Sequence, residues 1–211
     1  EDKIMTTAGE GGMVTTNNEE LFNRAWAFKD HGKNFEIIQK KSSSFVFKYV
    51  HSTFGSNYRM TEIQSAIGRI QLTNLDEWTE ARKRNAMKFN EVLKNYSDIA
   101  RAPLPSEEFS HAYYKYYVYL KRDKIKKSWS RDRVVNSLNE IGLPCGSGAC
   151  PEVYMEDAYK HISKNPHTRL PNAKKLGEES LMLLVHPTLT DEEIDFSCQS
   201  LSKVLNQAKN I

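Results

Sequence analysis

The chain has 211 residues, 39% of them apolar and 27% charged, with a formal net charge of +3. That is enough apolar material for one large domain or two small ones, and no apolar run approaches the length of a membrane-spanning helix. The positive charge is spread along the chain; its densest stretches, Lys40-Lys41 and Arg122 to Lys127, read as solvated surface and come with no nucleic-acid motif.

The amino terminus, Glu1-Asp2-Lys3, has neither an initiator Met nor the apolar stretch of a signal peptide, which fits a partial product of a longer protein. Met13 to Thr16 is a strand candidate, closed by the Asn17-Asn18 turn. A helix is expected from Glu19, with acidic residues in its first turn, Leu21, Phe22, Ala25 and Phe28 on its buried side, and Gly32 as its C-cap. Asn34 to Ser56 lacks helical periodicity, and Phe45, Phe47 and Tyr49 alternating with Val46, Lys48 and Val50 suggest strand or hairpin character.

Thr61-Glu62-Ile63-Gln64 is a capping-box sequence, so a helix should begin just after Met60. Ile63, Ile67, Ile70, Leu75, Trp78, Ala86, Phe89, Leu93 and Tyr96 recur mostly three or four residues apart, which predicts one long helix bent near Asn74. Gly68 inside it lets another backbone come close. Pro103 and Pro105 mark a loop. Tyr114, Tyr116, Val118 and Leu120 then alternate as a strand with one buried face. Val134, Val135, Leu138 and Ile141 define a helix from Ser130 to Gly142. Leu181 to Val185 is short enough for a buried strand that Pro187 ends, and a second capping box, Thr190 to Glu193, opens a final helix carrying Ile194, Cys198, Leu201 and Leu205. Cys145, Cys150 and Cys198 are an odd count without metal-ligand spacing and read as reduced thiols in a cytoplasmic protein, the first two as packing residues.

Chemistry is concentrated at two places. Lys3 stands ahead of a Gly9-Glu10-Gly11-Gly12 turn, where an amine can hold an aldehyde cofactor as a Schiff base. About fifty residues on comes Asn57-Tyr58-Arg59-Met60-Thr61-Glu62-Ile63-Gln64-Ser65-Ala66-Ile67-Gly68. Taken in this order, with the helix ending in His31-Gly32 between them, the motifs resemble the DegT/DnrJ/EryC1/StrS aminotransferases from Lys3 to the C-terminus.

The resemblance implies an α/β fold: the C-terminal half of a fold type I transferase dependent on pyridoxal 5'-phosphate. Residues 1–78 would close the large cofactor domain, a long helix would connect onward, and 79–211 would form a small C-terminal α/β domain. It implies transfer of an amino group, with glutamate as the expected donor, to a nucleotide-linked keto-sugar in polysaccharide or amino-sugar biosynthesis. An obligate homodimer with shared active sites follows from it too. Lys3 would be both catalytic residue and cofactor anchor. An ordinary lysine, at about 10.4, is protonated at neutral pH, so such a residue must be held lower to act as a base. The three glycines are read as conformational aids that turn the lysine inward.

Asn57 would reach the cofactor phosphate of the partner subunit. Arg59, His31 and His111 are candidate substrate contacts, each with a structural alternative: ordering the loop before Thr61, capping a helix, and forming a strand edge. Relatives often carry a His-Tyr-x-Pro-x-His type segment where this chain has Pro144-Cys145 through Tyr154, so the sugar's identity does not carry over. A dehydratase branch replaces the lysine with histidine, which favours transamination here. The family's upstream aspartate, stacking aromatic and phosphate-binding helix have no counterpart in these residues, so this chain alone is expected to be inactive. A non-catalytic dimerisation remnant is the alternative from another class.

Overall fold

Asn18 opens the first helix of the computed structural model, α1 (Glu19–Lys29), by accepting the Leu21 amide at 2.9 Å. The structure describes residues 3–40, 49–148, 150–161 and 168–210. These fall into two units that divide between Leu75 and Asp76.

In the first unit, the expected inner face of α1 is exposed. Leu21, Phe22 and Phe28 all lie open to solvent, and Ala27 is the helix's buried residue. Periodicity reveals an apolar stripe but not what covers it; among the described residues Phe35 meets the Phe22 and Trp26 rings edge-on at 5.1 Å, and Tyr58 stacks on Phe28 at 5.7 Å. The strand expected at Met13 to Thr16 is absent; Met13 and Val14 are exposed and, among the described residues, pair with no strand. A five-residue helix, α2 (Phe35–Gln39), capped by Asn34, stands where no helix was expected. Of the alternating stretch that follows, Phe45, Val46, Phe47 and Lys48 lie outside the described residues, as does Lys41.

The C-cap of α1 is Asp30 rather than Gly32. His31 and Gly32 both take left-handed backbone, at φ 58° and 81°, and the Gly32 amide reaches back to the Ala27 carbonyl at 2.7 Å. The next layer of chain finishes the cap: Ser56 and Tyr58 amides donate to the Phe28 and Lys29 carbonyls at 2.8 and 2.9 Å. A Cβ at Gly32 would lie 1.7 Å from the Thr53 carbonyl oxygen. Gly32→Ala is therefore expected to destabilise this unit by about 1–3 kcal/mol, since the strain adds to a backbone clash; a drop in the thermal midpoint of the full-length protein would register it.

Thr61 then opens α3 (Glu62–Thr73) with both halves of the capping box formed. The single long helix expected here is instead broken at Asn74, whose side chain donates to the Ile70 carbonyl at 3.1 Å and ends the first segment. The second segment is α4 (Leu75–Lys94).

The second unit is built on a four-stranded antiparallel sheet of order β1-β2-β4-β3. Its strands are β1 (Ala100–Arg101), β2 (Tyr116–Leu120), β3 (Cys145–Gly146) and β4 (Ser180–Leu183). β2 alternates buried and half-buried residues as its sequence dictates, and pairs Val118 with Leu181. The helices α4, α5 (Arg131–Glu140) and α7 (Asp191–Ala208) contribute Phe89 and Leu93, Val134 and Leu138, and Leu201 and Leu205 to one core with Tyr116, Val118, Leu181 and Leu183. Ser130 and Thr190 cap their helices as expected, and Gly142, at φ 89°, follows α5. The helix α6 (Pro171–Glu179) was not expected. It begins on Pro171, a residue suited to the first helical position, and Gly177 admits Pro151, whose ring would lie 2.3 Å from a Cβ there. Among the described residues, no helix is long and apolar enough to cross a membrane.

Candidate functional site

The two chemical motifs meet in the first unit. The loop from Lys3 to Gly12 lies along α3, held at both ends: the Thr6 amide donates to Gln71 Oε1 at 3.2 Å, and Gln64 Nε2 donates to the Glu10 carbonyl at 2.9 Å. Between these points Thr7 enters the space over Gly68, its methyl 3.4 Å from where a Cβ would stand. Gly68 thus admits a side chain, not the backbone expected. Gln64, Gly68 and Gln71 recur at i, i+4 and i+7, which places them on one helix face.

The glycines of this loop act differently from the expectation. None of Gly9, Gly11 and Gly12 takes positive φ; the left-handed residue is Ala8, at 56°. What Gly9 and Gly11 provide is closeness. A Cβ on Gly9 would lie 3.1 Å from Gln64 Nε2, and one on Gly11 would lie 2.9 Å from Met60 Cε. Met60 belongs to the second motif, so the motifs touch through a missing side chain. Lys3 sits in a bend, with an exposed side chain.

Asn57 and Arg59 are organised by a residue that the sequence did not single out. Asp30 is 7% exposed, and its carboxylate takes Arg59 Nη1 at 2.6 Å, Lys33 Nζ at 3.0 Å and Lys29 Nζ at 3.5 Å. The Lys33 hydrogen bond, followed by the charges of Arg59, Lys33 and Lys29, holds this carboxyl below the usual range, while burial works the other way. Its backbone also bridges to Asn57. A His-Gly pair at a helix end signals a cap, and nothing local announces that the preceding aspartate would capture an arginine 29 positions on.

The sign of the pH effect follows directly. A carboxyl with depressed folded pKa stabilises above its unfolded value, about 3.9, and that contribution is lost as pH falls through the folded value. Amide protection factors at Ser56 and Tyr58 should therefore be flat from pH 7 to about 5 and fall only in stronger acid. A decline centred near pH 6 would show that another group holds the loop.

Asn57 is exposed, and its Oδ1 accepts the Arg59 amide at 3.2 Å. That bond turns the oxygen inward and leaves Nδ2, a donor, with no acceptor among the described residues. His31 shares this corner: its amide donates to the Ser56 carbonyl at 3.0 Å and its ring is exposed.

His111 belongs to the second unit. It lies before β2, outside any strand. Its Nδ1 accepts the Tyr113 amide at 2.8 Å, which leaves Nε2 as the ring nitrogen outside that bond. The ring lies 4.2 Å from that of Tyr113, a residue at φ 45° whose carbonyl, with that of Tyr114, receives the buried Arg82 guanidinium. The stretch from Cys145 to Tyr154 departs from the expected packing role at one point. Cys145 packs half-buried against the core and burial pushes its thiol up to about 11, whereas Cys150 is exposed, 3.3 Å from Glu156. Nearby, Glu152 receives Arg169 through both carboxylate oxygens and the Tyr154 hydroxyl at 2.7 Å; the Arg169 bonds come first in holding its carboxyl down to about 2.

Residues 1–202 match the model of the DegT/DnrJ/EryC1/StrS aminotransferase family. The chain is 30% identical over 204 residues to a GDP-perosamine synthase from Caulobacter vibrioides, covering 97% of this chain and 50% of that protein. It superimposes on the crystal structure of an aminotransferase from Psychrobacter cryohalolentis with a TM-score of 0.92 at 44% identity, covering 98% of this chain and 54% of that one. The Helicobacter pylori aminotransferase PseC shares the fold at a TM-score of 0.78 and 22% identity, over 97% of this chain and 51% of its own. The chain spans about half the length of the curated relatives it matches.

Proposed function

The chain belongs to the DegT/DnrJ/EryC1/StrS aminotransferase family, and on that premise we propose that these residues form the lysine-bearing half of a pyridoxal-phosphate sugar aminotransferase. Residues before Thr61, with α3, complete its large domain, and the unit from Asp76 onward is its small domain. The observation that carries the reading is the docking of the Lys3–Gly12 loop on α3, directly after Asn57-Tyr58-Arg59-Met60. The names of relatives support it: one is a GDP-perosamine synthase, and another is an aminotransferase involved in pseudoaminic acid biosynthesis.

The side chains fit the cofactor in kind. An exposed amine, Lys3, suits an aldehyde, and Asn57 presents a donor end suited to a phosphate. When bound, pyridoxal phosphate supplies the electron sink that labilises bonds at the substrate carbon. Lys3 would hold it through its amine, and the same amine would serve as the base that moves a proton at the substrate carbon. Asn57 Nδ2 would hold the phosphate of the site in a partner subunit, with Asp30 and Arg59 bracing the turn that carries it. His31 and His111 are sugar-side contacts, the latter through its Nε2. Homodimerisation is supported by apolar side chains left open in the first unit, among them Phe54 at 97% and Ile63 at 75% exposure. Free Cys145, Cys150 and Cys198 support a cytoplasmic setting.

The test is a half-reaction. Full-length protein loaded with the cofactor and given glutamate, without any keto-sugar, should release one equivalent of 2-oxoglutarate per site. A dehydratase or a non-catalytic remnant would release none, and that result would overturn the reading.

A further inference from the structure

A capping box asks only for an acceptor at its third helical position, and glutamate serves there as well as glutamine. Close to the positive end of a helix, glutamate is the electrostatically better choice. At position 64 the box is complete: Oε1 takes the Thr61 amide at 3.2 Å and its hydroxyl at 3.0 Å. The amide's other end is surplus to capping, and it is spent on the Glu10 carbonyl. Gly9 leaves room for that reach, since any side chain there would crowd Nε2.

We propose that Gln64 is a positioning residue, which keys the lysine loop to the start of α3 so that Lys3 is presented from a fixed place. This rests on Lys3 being the cofactor anchor. One side chain thus joins two events: formation of the helix cap orients the carboxamide, and the oriented carboxamide fixes the loop. Gln71 supports the other end of the loop in the opposite sense, as acceptor from Thr6.

That contrast supplies the experiment, because the same exchange does different things at the two positions. In the full-length protein, Gln64→Glu keeps the capping acceptor but replaces the donor to Glu10 with a second oxygen. Gln71→Glu keeps the acceptor that Thr6 uses. Gln64→Glu should leave the thermal midpoint unchanged and raise hydrogen exchange of the amides in residues 3–12 about tenfold, one hydrogen bond's worth. It should also slow the glutamate half-reaction at unchanged glutamate KM. Gln71→Glu should change none of these. Equal loosening by both variants would assign the effect to charge, and unchanged exchange in Gln64→Glu would remove the key altogether; either overturns the proposal. The exchange measurement does not depend on the chemistry of Lys3. Should Lys3→Ala retain the half-reaction, the catalytic reading falls while the loop contact is still judged on its own.

Discussion

Replacing Lys3 with alanine in the full-length protein should abolish the glutamate half-reaction, with turnover down by at least about 10²–10⁴, the range a positioned general base contributes. Two functions are lost together, the covalent anchor and the proton carrier, so the lower bound comes from the second alone. Lys3→Arg separates position from chemistry. It keeps the charge and most of the length, but a guanidinium stays protonated and cannot act as a base. It should be as inactive as Lys3→Ala. Small primary amines added to Lys3→Ala should restore part of the proton transfer, because the vacated space admits them. Retained activity in Lys3→Ala would dissolve the functional reading, whatever the family.

Much of the second unit was legible in the sequence because its signals are local or periodic and its partners lie in the same unit. Ser130 and Thr190 announce helices through capping chemistry, and α4 buries Ala86, Phe89 and Leu93 as their spacing requires. β1 and β3 escaped because two residues cannot display a period of two. α6 escaped because its apolar content is slight and its place is set by Pro151 against Gly177, residues 26 positions apart in the chain. In the first unit the same rules gave α1 and the start of α3 but missed α2 and misjudged the faces. Leu21, Phe28, Ile63 and Ile70 have helical spacing and remain exposed, because spacing marks an apolar stripe without saying what covers it. At the site, Lys3 and Asn57 were found through motif resemblance, whereas Asp30 and Gln64 emerge only from geometry. Each acts on residues far along the chain, 29 positions from Asp30 to Arg59 and 54 from Gln64 to Glu10, and no local pattern encodes such a pairing.

Phe89→Ala should cost the second unit about 3–5 kcal/mol. The ring is wholly buried on α4 and stacks on Tyr116 of β2 with centroids 5.2 Å apart. It stands where helix and sheet are joined, and Tyr116 is fixed in turn by its hydroxyl donating to Asn90 Oδ1 at 2.5 Å, one position further along α4. Neither wall is free to collapse into the void: the strand is paired on both sides, with β1 and β4, and the helix is tied through Asn85 to the His186 carbonyl at 3.1 Å. The loss should therefore include a cavity penalty as well as the transfer free energy of the ring, putting it toward the upper part of that range. Domains are commonly stable by only about 5–15 kcal/mol, so this is a large fraction of the whole. Urea unfolding of the full-length protein, followed by hydrogen exchange at Val118 and Leu181, should show the transition of this unit moving to lower denaturant. Phe89→Leu, which keeps most of the apolar bulk, should move it much less. If Phe89→Ala shifted the transition no more than Phe89→Leu, the junction would be repacking freely, and the rigid helix-on-sheet contact described for this unit would be wrong.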